Sequence, residues 1–137
     1  MARPRGRPTD LELEILKALW EHGPATVRTV LETIAPHRRV GYTTVLKMLQ
    51  IMEEKELVRC DRSERAHLYQ ARESRGATLR TLAGDLLERA FDGSMQQLVL
   101  HALDRRRTSA AEVAELRSLL DEIEGRNSRE RNRTPDR

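Results

Sequence analysis

The sequence predicts a mainly α protein: an N-terminal winged helix-turn-helix of three helices and a β-hairpin wing, joined to a C-terminal helical dimerisation domain. Three observations lead there. Three short amphipathic segments are separated by Gly23-Pro24 and Ala35-Pro36, pairs that end helices. Two short runs, 57–61 and 65–71, flank Arg62-Ser63-Glu64 and read as a hairpin, although their period-2 alternation is imperfect. From Ser74 onward the apolar residues recur only at helical spacing. The expected division is a flexible basic arm over 1–8, a winged helix over 9–73, a helical domain over 74–125 and a disordered basic tail over 126–137.

Residues 1–8 alternate Arg with Pro and Gly, which suits no regular structure, and Arg3, Arg5 and Arg7 are candidates to reach phosphates or a minor groove. Thr9 and Asp10 offer an N-cap to the first helix, whose buried stripe is expected to be Leu13, Leu16, Leu19 and Trp20. Thr26 can cap a second helix that ends at Ile34, with Val27, Val30, Leu31 and Ile34 inward. A short basic connection, His37-Arg38-Arg39-Val40-Gly41, then delivers the chain to a third helix ending at Glu54.

That third helix is what the flanking elements are expected to present. Val45, Met48, Leu49 and Met52 fall on one side, at the spacing of a core-facing stripe. Thr43, Lys47, Gln50 and Glu54 lie opposite, with Thr44 flanking. Hydroxyls, an amide and an ammonium can meet base edges and phosphates in a major groove, which makes Tyr42, Thr43, Thr44, Lys47 and Gln50 candidate DNA contacts. A solvated amphipathic helix has the same pattern. What raises the first reading is order: two short helices before a third with a polar outer face is the helix-turn-helix arrangement.

A hairpin after that helix is a wing. Arg62 and Arg65, expected at its tip, would lie beside the backbone of a bound duplex, although any surface hairpin can carry arginines. His67 is expected to pack within the hairpin, and Cys60 to be a half-buried strand residue.

Beyond Ser74, Leu79, Leu82, Leu86 and Leu87 stripe one helix that ends near Phe91-Asp92-Gly93. Ser94 can cap a second, with Leu98, Val99, Ala102 and Leu103 inward, broken at Arg105-Arg106-Arg107. Thr108 or Ser109 can cap a third, with Val113, Leu116, Leu120 and Ile123 inward until Gly125. About fifty residues are too few for a lone aliphatic core. These stripes therefore predict burial against a second copy of the chain, the other possibility being that they fold back on the winged helix.

Charge and composition bound the function. Of 137 residues, 38% are hydrophobic and 3% aromatic, so the core must be thin and aliphatic. The net charge of +3 is uneven, because the first seven residues and the last twelve each carry +3, which leaves the body at −3. Basic ends suit a polyanionic partner. The single cysteine excludes an internal disulfide, and His22, His37, His67 and His101 show no metal-ligand spacing. With no nucleophile triad or phosphate loop either, no catalytic residue, metal or cofactor is expected. No apolar run approaches the about 18 residues of a membrane span, and no apolar stretch follows the N-terminal arginines, so the expected location is cytoplasmic. The rival is a winged helix that binds protein rather than DNA.

Several blocks resemble the penicillinase-repressor family (BlaI/MecI/CopY type). They are Thr9-Asp10-Leu11-Glu12-Leu13-Glu14-Ile15-Leu16-Lys17-Ala18-Leu19-Trp20, Thr26-Val27-Arg28-Thr29-Val30, Tyr42-Thr43-Thr44-Val45-Leu46-Lys47-Met48-Leu49, Glu54-Lys55-Glu56-Leu57-Val58 and Gly93-Ser94-Met95-Gln96-Gln97-Leu98-Val99. The resemblance implies a winged-helix repressor that dimerises through C-terminal helices and binds an inverted-repeat DNA operator. It places Thr43 and Thr44 at the bases and Arg65 near the backbone. It also implies a membrane sensor-protease partner, with cleavage at the bond joining His101 and Ala102, where staphylococcal members have Asn-Phe. The paired Cys-x-Cys motifs of copper-responsive members do not follow Cys60 here. Glu56 stands where the family commonly has Gly, so the third helix is expected to end without a left-handed glycine.

Overall fold

The computed structural model describes residues 7–104 and 107–133. Its elements are α1 (Asp10–His22), α2 (Val27–Ile34), α3 (Tyr42–Glu54), β1 (Val58–Asp61), β2 (Leu68–Ala71), α4 (Arg75–Phe91), α5 (Met95–Asp104) and α6 (Ala110–Arg133). The chain divides into two compact units within α4, between Leu86 and Leu87.

In the first unit α1 starts at a capping box. The Glu12 N–H donates to Thr9 Oγ1 at 3.3 Å, and the Thr9 N–H donates to Glu12 Oε1 at 2.9 Å, so two of the orphan donors at this end are satisfied. Gly23, at φ 89, ends the helix. The buried stripe of α1 is Ile15, Leu16, Ala18 and Leu19; Leu13, expected there, is only half-buried and lies outside the core cluster. Trp20 is also half-buried, because its indole N–H turns to donate to the Glu73 carbonyl at 3.0 Å, just before α4.

Thr26 caps α2, and Val27, Val30 and Ile34 are buried, with Leu31 packed on the cluster. Gly41 precedes α3 with no side-chain cap, and Val45, Leu49 and Met52 are fully buried, with Met48 beside them. Together with Ala25, Val58 and Tyr69 these residues close one aliphatic core. An ion pair between Arg38 and Glu14 at 2.7 Å fastens the α2–α3 connection to α1.

At the end of α3 the chain reverses through Glu56, which adopts φ 63. The Leu57 N–H donates to the Met52 carbonyl at 2.9 Å and the Glu56 N–H to the Glu53 carbonyl at 3.0 Å, so the last turn is satisfied. The left-handed position is thus present, but a glutamate occupies it. The turn therefore ends without a left-handed glycine, as expected, and the glutamate itself takes up the left-handed conformation.

β1 and β2 pair antiparallel in the register Val58–Ala71, Arg59–Gln70, Cys60–Tyr69 and Asp61–Leu68. Tyr69 also exchanges both backbone hydrogen bonds with Ala25, at 2.8 and 2.9 Å, so the α1–α2 connection joins the hairpin as a third, single-residue strand. The return strand begins at Leu68, not at Arg65. Asp61 Oδ1 accepts the Ser63 N–H at 2.9 Å, and this local turn curls residues 62–67 into a loop instead of a ladder. His67 is exposed in that loop and does not pack within the hairpin.

Ser74 caps α4, and Arg7 pairs with Asp85 at 2.6 Å. Residue 7 is therefore held against α4 and is not part of a free arm; Arg3 and Arg5 lie outside the described residues. In the second unit α4 ends as expected at Phe91, with Asp92 at φ 50 and Gly93 at φ 81, and the Gly93 N–H reaches back to the Leu87 carbonyl at 2.9 Å. Ser94 caps α5 and Ser109 caps α6. α6 does not stop at Gly125 but continues to Arg133, eight residues into the stretch expected to be a disordered tail. None of α4, α5 and α6 contains a fully buried residue among those described.

Candidate nucleic-acid interface

Burying Val45, Leu49 and Met52 fixes the rotation of α3, and the opposite face follows from helical geometry. Thr43, Thr44, Lys47, Gln50 and Glu54 are all exposed on it. Tyr42, at the first position of the helix, is 44% exposed. No acidic residue occurs in the first turn of α2 or of α3, so nothing there opposes an approaching anion.

A groove of about 690 Å³ runs beside this face. Tyr42, Leu46 and Gln50 form its α3 wall, at i, i+4 and i+8, the start of α2 supplies Thr26 and Arg28, and the wing supplies Arg62, Arg65 and His67. Four of the residues singled out in the sequence, Tyr42, Gln50, Arg62 and Arg65, are thus brought together. Thr43, Thr44 and Lys47 lie on the outer face of α3 and do not line the groove.

The two wing arginines differ. The Arg62 guanidinium holds both Glu53 oxygens, at 2.7 and 2.9 Å, which pins the loop to the last turn of α3. Arg65 lines the groove with no ion-pair partner among the described residues. Below them, burial first and then a hydrogen bond with Cys60 push the Tyr69 phenol up to about 12, so it stays protonated and neutral beneath the basic loop. Cys60 is half-buried opposite it.

One residue of the groove was missed in the sequence. The Arg28 guanidinium lies 5.4 Å from the centre of the Tyr42 ring. Both residues belong to the motif blocks quoted above, but nothing in their fourteen-residue separation signals the contact.

In the second unit, Met95, Val99, Leu100 and Leu103 of α5 and Leu116, Leu119, Leu120 and Ile123 of α6 are exposed, while Leu98 and Val113 are half-buried. On α4, Leu79 and Leu86 are exposed and Leu82 is half-buried. The bond between His101 and Ala102 lies inside α5; the His101 Nδ1 is 2.8 Å from the Gln97 carbonyl and its ring is 5.7 Å from that of Phe91. No group of three or more His, Cys, Asp or Glu suited to a metal occurs among the described residues, and no described helix is long and apolar enough to cross a membrane.

Three helices with the third turned polar side out, and a hairpin beside it, define a winged helix-turn-helix, a class that lays one helix in a DNA groove. The penicillinase repressor family profile matches residues 8–122. The transcriptional regulator BlaI of Mycobacterium tuberculosis is 38% identical over 117 residues, which span 84% of this chain and 83% of that protein. The penicillinase repressor of Bacillus licheniformis is 23% identical over 118 residues, 86% of this chain and 92% of that one. The solution structure of the monomeric form of Bacillus licheniformis BlaI, in complex with the blaP half-operator, aligns with a TM-score of 0.47 at 19% identity, covering 55% of this chain and 92% of that one. The chain belongs to the penicillinase repressor family. It is a DNA-binding transcriptional repressor and not an enzyme.

Proposed function

We propose that the protein acts in the cytoplasm as a homodimer that occupies an inverted-repeat operator and blocks transcription there. In this reading each copy lays α3 in a major groove, the two grooves being about 34 Å apart, because a two-fold protein matches a palindromic site. Thr43, Thr44 and Gln50 select bases. Lys47 and Arg65 hold phosphates, and Arg62, pinned by Glu53, sets the position of the wing loop. The second copy covers the apolar residues of α5 and α6.

The observation that carries this reading is the outward, exposed Thr43/Thr44/Lys47 surface, set opposite a stripe buried completely in the core. Gel-shift titration of two variants tests it. Lys47→Ala weakens binding to every duplex and flattens the salt dependence by about one unit, whereas Thr44→Ala changes which sequence is preferred. Parent-like binding by both variants would remove α3 from the interface.

A further inference from the structure

We propose that Arg28 and Tyr42 work as one unit, in which the Tyr42 ring is a platform that holds the Arg28 guanidinium over the groove to receive a backbone phosphate of bound duplex. The inference rests on the DNA-binding reading and adds to it a contact from α2. Arg28 lies in the first turn of α2 and is exposed, and its guanidinium stands over the Tyr42 face at 5.4 Å. It has no carboxylate partner among the described residues, unlike Arg7, Arg38 and Arg62, which are bound to Asp85, Glu14 and Glu53. A long arginine at an exposed position ordinarily samples many rotamers, and fixing it costs entropy on binding. Stacking on an aromatic face removes much of that freedom while leaving the N–H edges of the guanidinium available to phosphate oxygens.

The groove supports the assignment. Arg28 and Tyr42 line it from α2 and α3, and Arg62 and Arg65 line it from the wing, so both the helix wall and the wing wall carry a guanidinium, with Arg62 already held by Glu53. A phosphodiester is the ligand that suits such a pair, since it offers two anionic oxygens and no sequence information. Tyr42 is then a positioning residue that acts through Arg28, and the Arg28 contact is independent of base identity.

Because the contact is to phosphate, the test needs no operator. Full-length protein is titrated against a fluorescein-labelled 24-base-pair duplex of mixed sequence at several salt concentrations, with matched melting curves to exclude unfolding. Arg28→Ala should weaken binding equally on two unrelated duplexes and make the salt dependence shallower by about one unit. Tyr42→Leu should weaken binding about two- to fivefold when Arg28 is present and leave affinity unchanged when Arg28 is Ala. Tyr42→Phe, which keeps the aromatic face, should recover most of what Tyr42→Leu loses. Losses from Tyr42→Leu and Arg28→Ala that simply add would overturn the proposal, as would an unaltered salt slope in Arg28→Ala. Failure of the parent protein to bind either duplex would overturn the proposal and the DNA-binding reading together, an outcome distinct from the other two.

Discussion

Glu12 and Lys55, 43 residues apart, are joined at 2.8 Å, with the carboxylate wholly shielded from solvent. The pair ties the first turn of α1 to the residue that caps α3. A single oxygen, Glu12 Oε1, accepts from both Lys55 Nζ and the Thr9 backbone. The angle at which α3 leaves the core is therefore set by a charge contact as well as by Leu49 and Met52. Removing the lysine leaves a buried carboxylate without its counter-charge. Lys55→Ala should lower the unfolding free energy by about 2 kcal/mol, below the usual cost of breaking a fully buried pair because Lys55 is partly exposed. Urea titration measures this, and adding Glu12→Gln to Lys55→Ala should recover part of the loss.

The same contact makes stability depend on acid. Burial raises the Glu12 pKa, but the Lys55 hydrogen bond, the Thr9 backbone and hydroxyl bonds and the Lys55 charge outweigh it and hold the group below the ordinary carboxylate value. Between the folded and unfolded values the unfolded chain binds a proton that the folded chain does not. The contribution is therefore complete above about pH 4.3 and is lost as pH falls through the folded value. Urea midpoints between pH 6 and pH 3 should fall more steeply for the parent than for Glu12→Gln.

Glu56 holds φ 63 with a β-carbon, a conformation that costs a non-glycine residue about 1 kcal/mol. Glu56→Gly should raise stability by about 0.5–1 kcal/mol, the greater freedom of glycine in the unfolded chain offsetting part of the relief. Glu56→Ala should bring no such gain. Thermal melts of the three proteins decide it.

Leu116, Leu119 and Leu120 are 43%, 49% and 64% exposed on α6. If a second copy covers them, sedimentation should find the parent at twice 15.8 kDa and Leu120→Glu at the single-chain mass. The variant should also lose cooperative operator binding while its winged helix melts unchanged. A parent that sediments as one chain at micromolar concentration would refute the dimer.

The helices and their caps were readable because their signals are local. Thr9, Thr26, Ser94 and Ser109 each precede an apolar period, and the α3 stripe follows from spacing alone. What escaped is long-range. Glu12 reads as an ordinary first-turn acid until Lys55 is seen beside it, and Arg28 meets Tyr42 only once α2 and α3 are packed. The start of β2 escaped for another reason, since the Asp61–Ser63 turn competes with strand pairing and wins. Gly125 looked like a stop, yet a single glycine costs a helix only about 1 kcal/mol. Glu122 stands four residues before Arg126, the favourable order for an ion pair along a helix, and this spacing could have signalled the continuation.

Ala25 and Tyr69, stitched by two backbone hydrogen bonds, divide the wing into a part free to vary and a part that is not. Residues 62–67 lie outside the paired register, so a position gained or lost there leaves the strands below in place. An insertion between Leu68 and Ala71 would turn Tyr69 out of the core and detach the α1–α2 elbow in the same step. Loop length can therefore change while the seam beneath it keeps its register.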